Sequence, residues 1–129
     1  MAALGFVMTK EPTSMRQTRL VGGHGVSVEY ARTPAEQQQG LSGRDALAPD
    51  TALVFPFSPA ATPTFWMRGM RFPIDIVWVA QGRVIGIEAG APADDGAIQY
   101  QPSSPVDEVF ELPAGWCATH GVDVGDTVE

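Results

Sequence analysis

The sequence predicts a single, mainly β domain, an antiparallel β-sandwich or barrel with two short helices. Two apolar, β-rich segments over 74–80 and 83–88 are joined by Gln81-Gly82, which is the spacing of a tight hairpin. Helix signals are confined to two short stretches, near Thr33 and near Pro113. The 129 residues, of which 44% are hydrophobic and 18% charged, are enough for one hydrophobic core.

The N-terminal segment, residues 1–23, shows no sustained hydrophobic period and ends in Gly22-Gly23. These features predict a flexible arm, followed by one β-rich domain over residues 24–129. From Val26 to Tyr30 apolar and polar residues alternate, which is typical of a half-buried strand. This is the first strand that the sequence predicts.

A short helix is predicted to start at Thr33. The Thr33 hydroxyl can cap the helix, Pro34 suits the first helical position, and Glu36 can reach back to the cap amide. Gly40 accepts the left-handed conformation that often ends a helix. The helix should therefore cover no more than the residues between Thr33 and Gly40.

The middle of the chain is predicted to be mostly sheet. The apolar run over 52–57 predicts a buried strand, and the Pro-rich stretch over 58–64 predicts a loop. Phe65-Trp66-Met67 is expected to resume the sheet. Segment 74–80 is apolar on both faces apart from Asp75, so it is expected to be a central strand.

The C-terminal third is predicted to begin with a loop over 90–96, followed by strands over 98–101 and 106–112. A helix over 114–120 and a terminal segment over 122–128 complete it. Pro113 is expected to start the helix and Gly121 to end it. No internal repeat and no long linker interrupts the chain.

Charge argues against nucleic acid as a partner. The chain has 15 acidic against 8 basic residues, a formal net charge of -7, and the arginine pairs Arg68/Arg71 and Arg16/Arg19 do not form a basic stripe. No apolar run approaches the 18 residues of a transmembrane segment. The chain as given is expected to be soluble, and its single cysteine, Cys117, does not indicate a redox compartment.

Several short motifs, taken in order, resemble the domain-of-unknown-function family 192. They are Thr33-Pro34-Ala35-Glu36 with Gly40-Leu41 and Arg44, Leu53-Val54-Phe55, Phe65-Trp66-Met67-Arg68 with Phe72-Pro73-Ile74-Asp75-Ile76, Glu111-Leu112-Pro113-Ala114-Gly115, and Val124-Gly125-Asp126. The resemblance spans residues 26–128. It implies a mostly antiparallel β-sandwich or barrel, no established activity, and relatives of which many are exported or membrane-anchored, which allows a parent whose leader is missing here.

Two positions depart from that family's pattern. Ser42 stands where the family often has Met, and Gly69-Met70 stands where many members have Asn-Thr.

The segment from Phe65 to Asp75 carries the predicted ligand site. Trp66 could stack on a sugar, Arg68 could bind carboxylates or hydroxyls, and Asp75 could accept hydrogen bonds. The candidate residues are Arg44, Trp66, Met67, Arg68 and Asp75. The structural alternative is that Trp66 belongs to the core and that Asp75 is a buried carboxylate held by Arg44, Arg68 or Arg71.

Catalytic and metal chemistry have weaker support. Cys117 and His120 lie three positions apart on a predicted helix, but with His24 they make only three strong ligands, so neither a metal nor another cofactor is expected. The same Cys117–His120 pair lacks a recognisable third group for nucleophilic catalysis. Asp94 and Asp95 are adjacent in a loop, where their side chains diverge.

Three functions remain open at this stage. The favoured one is a non-catalytic module that binds a small molecule or carbohydrate through the aromatic and arginine cluster. The second is a hydrolase that uses Asp75, Glu111 or Cys117. The third is an interaction domain with an exposed apolar patch, and the sequence does not predict an oligomeric state.

Overall fold

The structure is a computed structural model that describes residues 16–129. Its elements in chain order are β1 (Gln17–Val21), β2 (His24–Tyr30), α1 (Pro34–Gln39), β3 (Thr51–Ala61), β4 (Phe65–Trp66), β5 (Ile74–Ala80), β6 (Arg83–Ala91), β7 (Gln99–Tyr100), β8 (Val106–Pro113) and α2 (Trp116–His120). The prediction of one mainly β domain with two short helices is confirmed. Neither helix in this part of the chain is long and apolar enough to cross a membrane.

Six strands form one sheet in the order β1-β2-β3-β8-β5-β6, and β4 pairs with β7 in a separate two-stranded sheet. All neighbouring pairs are antiparallel except β2 and β3, which run parallel. Parallel neighbours need a crossover connection, and the segment that contains α1 supplies it. The strand over 74–80 is flanked by β8 and β6, as its apolar faces predicted.

The C-terminal segment closes the six-stranded sheet on itself. Val128 forms a β-bridge with Val21 of β1, and Thr127 forms one with Arg83 of β6. The backbone N–H of Leu20 donates to the Glu129 carbonyl at 3.0 Å. Both outer strands of the sheet thereby gain a hydrogen-bonding partner, so the barrel alternative describes this sheet better than a two-sheet sandwich.

Side chains alternate between the two faces of the sheet. Val77 and Val79 of β5 belong to the buried cluster that also holds Val128, whereas Ile76 and Trp78 belong to a second cluster on the opposite face. The second cluster also contains residues of β4, of β7 and of the segment that follows α1, such as Leu41. The pocket described below lies on this outer face.

Local capping signals predicted α1 correctly. Glu36 N–H donates to the Thr33 hydroxyl at 3.1 Å, and the Glu36 carboxylate accepts from Thr33 N–H at 3.1 Å. This reciprocal pair is the capping box that the sequence indicated, and Gly40 is the C-cap with φ of 51°.

Four boundaries differ from the prediction. The prediction of a flexible arm is wrong for residues 17–21, because these residues form β1, which pairs along its length with β2. Residues 1–15 of the predicted arm lie outside the described residues. Phe65 and Trp66 pair with β7 and do not resume the main sheet. The helix α2 starts at Trp116 and not at 114, since β8 continues through Pro113.

The fourth difference is that β3 extends to Ala61, into the predicted Pro-rich loop. Its pairing with β8 skips from Pro56 to Ala61. Pro59 lies in that interval, where the absence of a backbone N–H costs no ladder hydrogen bond.

Candidate functional site

A pocket of about 180 Å³ opens on the outer face, between the end of α1, β3 and the segment that carries β4. We call it the Glu111 pocket. It is lined by Gln37, Gln38, Gln39, Gly40, Leu41, Ser42, Phe55, Phe57, Pro63, Thr64, Phe65, Trp66, Arg68, Met70 and Glu111. Among these described residues, Glu111 alone bears a carboxyl group.

The Glu111 side chain is buried without a hydrogen-bond partner for one oxygen. The residue is 6% exposed, and Oε1 contacts neither solvent nor a donor among the described residues. Burial raises the pKa of the Glu111 carboxyl to about 8, although the positive charge of Arg44 acts in the opposite direction. The carboxyl is therefore mostly protonated at neutral pH and can both donate and accept a hydrogen bond.

The alternation of β8 explains how Glu111 comes to face the pocket. Glu111 lies in register between Leu53 of β3 and Ile76 of β5. Phe110 and Leu112 point into the closed sheet, so Glu111 points to the outer face together with Val109. Glu111 therefore contributes to the pocket lining from an inner strand of the six-stranded sheet.

Gly40 packs against the Glu111 carboxyl. A Cβ at Gly40 would lie 3.9 Å from Glu111 Oε1 and 3.5 Å from Phe55 Cζ. The positive φ of Gly40 also disfavours any residue with a side chain. The end of α1 thus brings backbone, and no side chain, against the carboxyl.

Aromatic side chains form one wall of the pocket. The rings of Phe55 and Phe65 meet edge to face at a centroid distance of 4.9 Å, and Phe65 meets Trp78 in the same way at 5.5 Å. Trp66 is 40% exposed, and the Arg68 guanidinium lies 5.7 Å from its ring centroid. The wall therefore combines a fixed inner pair of rings with an accessible indole at the rim.

The structure brings together some of the predicted site residues and separates others. Trp66 and Arg68 both line the Glu111 pocket, whereas Met67, only 1% exposed, packs in the outer core cluster. Met67 follows the end of β4 and contributes its side chain to the core and not to the pocket.

Asp75 is fully buried and lies outside the pocket lining. Its Oδ1 accepts hydrogen bonds from the backbone N–H groups of Gly90 at 2.9 Å and Gly115 at 3.1 Å, and its Oδ2 accepts from Cys117 at 3.0 Å. Asp75 is thus a buried carboxylate held by hydrogen bonds, as the structural alternative proposed. Its partners are backbone N–H groups and not the expected arginines. Arg71 instead pairs with Asp45.

Arg44 lines a second, neighbouring cavity and does not line the Glu111 pocket. We call this cavity the Arg44 groove; its lining is Glu29, Tyr30, Ala31, Ala35, Glu36, Gln39, Gly40, Arg44 and Leu53. Gln39 and Gly40 belong to both cavities. The Arg44 guanidinium binds Glu29 through two nitrogens, at 3.1 and 3.2 Å.

The Cys117–His120 pair does not form a nucleophilic site. Cys117 is buried, and burial together with the nearby carboxylate of Asp75 raises the pKa of its thiol to about 12. His120 Nδ1 donates to the Trp116 carbonyl at 2.8 Å, and its ring stacks on Trp116 with centroids 4.2 Å apart. Within residues 16–129 no three His, Cys, Asp or Glu side chains are grouped as a metal site requires.

Sequence reasoning named Glu111 only as one of three hydrolase candidates and missed its position in a pocket. A charged residue between apolar neighbours on a strand was the available signal, since alternation places Glu111 on the face of Val109. The glutamines of α1 and Thr64 carried no comparable signal.

The model of the DUF192 family, described as "Uncharacterized ACR, COG1430", matches residues 17–129. The chain belongs to this family. The match begins where β1 begins, and so includes the strand that the sequence had assigned to an arm. No functionally curated protein matches the chain.

Two solved structures of similar proteins share the fold. A protein of unknown function from Novosphingobium aromaticivorans DSM 12444 is 35% identical, with a TM-score of 0.82 over 88% of this chain and 84% of that one. A protein from Sinorhizobium meliloti 1021, named as a "putative transcription regulator", is 32% identical, with a TM-score of 0.81 over 88% of this chain and 92% of that one.

Proposed function

We propose that this DUF192 domain is a non-catalytic binding module that holds a small carbohydrate in the Glu111 pocket. The observation that carries the proposal is the buried Glu111 carboxyl, whose Oε1 lacks a partner and faces an aromatic-walled pocket. A buried polar atom without a partner is costly, and a ligand hydroxyl can supply the missing hydrogen bond.

The remaining lining fits a sugar ring. Trp66 offers an exposed indole face for the apolar face of a sugar, while Gln38, Thr64 and Arg68 offer polar groups around it. The pocket volume of about 180 Å³ is below the range of about 300–1,000 Å³ of pockets for drug-sized ligands. A ligand of one sugar unit is therefore favoured over a larger one.

A hydrolase is the second candidate, and the raised pKa of Glu111 favours it. A carboxyl that keeps its proton at neutral pH can act as a general acid. Glycoside hydrolysis, however, ordinarily needs a second carboxylate across the cleft, and the described residues that line the Glu111 pocket include one carboxyl. Binding is therefore preferred to catalysis.

Regulation of transcription, which the name of the Sinorhizobium meliloti protein suggests, has less support here. A formal net charge of -7 opposes approach to DNA phosphates.

The test is a thermal-shift screen with galactose, glucose, mannose and N-acetylglucosamine. A sugar at a hundred times its Kd stabilises the folded domain by about 2.7 kcal/mol. Trp66→Ala and Glu111→Gln should each abolish the shift, whereas two matched changes outside the pocket, Ile98→Ala and Glu88→Gln, should leave it unchanged. A screen in which no sugar shifts the wild type would refute the proposal.

Incubation of the domain with the corresponding p-nitrophenyl glycosides separates binding from hydrolysis. Release of nitrophenol by the wild type, and none by Glu111→Gln, would establish the hydrolase in place of the binding module.

A further inference from the structure

We infer that the Arg44 groove is a second subsite, which binds a carboxylate of the saccharide held in the Glu111 pocket, so that acidic sugars are preferred over neutral ones. This inference rests on the proposed function and names the ligand class for it. The two cavities lie side by side and share Gln39 and Gly40. A ligand that reaches past Gly40 therefore passes from one cavity to the other.

Gly40 makes the passage feasible. It has no side chain, and its backbone conformation, with φ of 51°, disfavours one. Arg44, on the far side, is close enough to Glu111 for its charge to act on that carboxyl. The sugar ring and its carboxylate thus have separate, neighbouring binding groups.

The charge balance around the groove favours an anion. Glu29 is shared by two guanidiniums, Arg44 and Arg16, and the Arg16 Nη2 lies 2.7 Å from Glu29 Oε2. Arg32 stacks on Tyr30, which lines the groove, with its guanidinium carbon 4.1 Å from the ring centroid. Among the described residues of the lining, Arg44 is the one cation, beside the carboxylates of Glu29 and Glu36. Arg16 and Arg32 lie outside the lining and add two positive charges next to it.

Arg44 is bound to Glu29 through two nitrogens, so a ligand carboxylate has to displace Glu29, which keeps Arg16 as a partner. The pKa of Glu29 is lowered by Arg44 first and also by Arg16, so Glu29 stays charged and keeps one partner when the other leaves. A ligand carboxylate can accept the two parallel N–H groups of Arg44, which are now turned to Glu29. Arg44 pairs with Glu29 and not with Glu36, whose Oε1 accepts from the backbone N–H groups of Arg32 and Thr33 at the start of α1.

The protonated state of Glu111 is compatible with an anionic ligand. A neutral carboxyl donates a hydrogen bond to a ligand oxygen, whereas an ionised one would repel a nearby carboxylate. The two cavities together therefore suit a saccharide that places an uncharged part of a ring in the Glu111 pocket and an acidic group in the Arg44 groove.

The experiment is a calorimetric titration of the wild type and variants with galacturonic acid, digalacturonic acid and galactose. We expect the wild type to bind one of the acids at least about tenfold more tightly than galactose. Arg44→Gln should remove that preference and leave the affinity for galactose within about twofold. Arg71→Gln, which removes the same charge outside both cavities, should keep the preference.

The outcomes separate this inference from the proposed function. If galactose and the acids bind equally, or if Arg44→Gln retains the preference, the acidic subsite is refuted while the sugar pocket stands. If none of the three sugars and no sugar of the thermal-shift screen binds, both fail. The circular dichroism spectrum of Arg44→Gln should match that of the wild type, because Glu29 keeps Arg16 as a partner. If the spectrum shows unfolding, Arg44→Lys is used in its place. The preference for acids should then weaken, because Lys cannot donate two parallel hydrogen bonds.

Discussion

The backbone N–H of Cys117 donates a hydrogen bond to Asp75 Oδ2 at 3.0 Å, which ties the first turn of α2 to the central strand β5. The Gly115 N–H donates to Oδ1 of the same carboxylate, and so does that of Gly90. One buried side chain therefore joins β5 to the end of the neighbouring strand β6 and to the start of α2.

Replacing Asp75 should destabilise the domain strongly. Asp75→Asn places an amide nitrogen against backbone donors and leaves at least one buried N–H without an acceptor, so we expect a loss of about 3 kcal/mol or more. Urea unfolding measures it. Asp95→Asn, in an exposed loop, should change stability by less than about 0.5 kcal/mol, and comparable effects of the two substitutions would show that Asp75 is not structural.

Glu111 should give the domain a distinctive pH dependence. The folded carboxyl holds its proton up to a pKa of about 8, whereas the unfolded one releases it near 4.5. Between these values the folded state binds more protons, so the free energy of unfolding falls as pH rises, by up to about 1.4 kcal/mol per pH unit.

Urea unfolding between pH 5 and 8 tests this dependence. Glu111→Gln should show a shallower fall in stability with pH than the wild type, and Glu88→Gln, outside the pocket, should keep the wild-type slope. Parallel slopes for the wild type and Glu111→Gln would mean that Glu111 is ionised in the folded protein.

The closure of the sheet should depend on the last four residues. Removing 126–129 deletes the hydrogen bonds of Leu20, Gly22 and Val84 to this segment, and it removes the buried side chain of Val128. We expect a loss of about 3 kcal/mol or more, measured by thermal unfolding. A truncated protein with the stability of the full chain would show that the closure contributes little.

The Cys117 thiol should be unreactive in the folded protein. It is buried, and its pKa is raised to about 12, so little thiolate exists at neutral pH. Ellman's reagent should react with Cys117 within minutes in 6 M guanidinium chloride and at least about a hundredfold more slowly without it. Equal rates in the two solutions would contradict the buried position.

Local signals explain what the sequence predicted correctly. The capping box at Thr33 and Glu36 and the hairpin turn at Gln81-Gly82 are each encoded within a few residues, and both were found. Trp66 and Arg68, which the sequence proposed because they lie close together along the chain, both line the Glu111 pocket, and their role in binding a ligand stays a prediction.

Non-local pairing explains what the sequence could not predict. The bridge between Val21 and Val128 joins residues from opposite ends of the described chain, and no local pattern indicates it. The partners of Asp75 are backbone groups, which every residue carries, so side-chain reasoning proposed arginines instead. Glu111 acquires its raised pKa only because two neighbouring strands and Gly40 surround it.

The most direct test of sugar binding in the Glu111 pocket is chemical-shift mapping of the ¹⁵N-labelled domain. A monosaccharide with a Kd of about 1 mM has a standard binding free energy near −4 kcal/mol and is readily detected by such a titration. We predict that galactose or galacturonic acid shifts the Trp66 indole N–H and the backbone amides of 37–42 and 64–70. Spectra that stay unchanged at tens of millimolar of both sugars, or shifts confined to the opposite face around His24 and His120, would contradict the account.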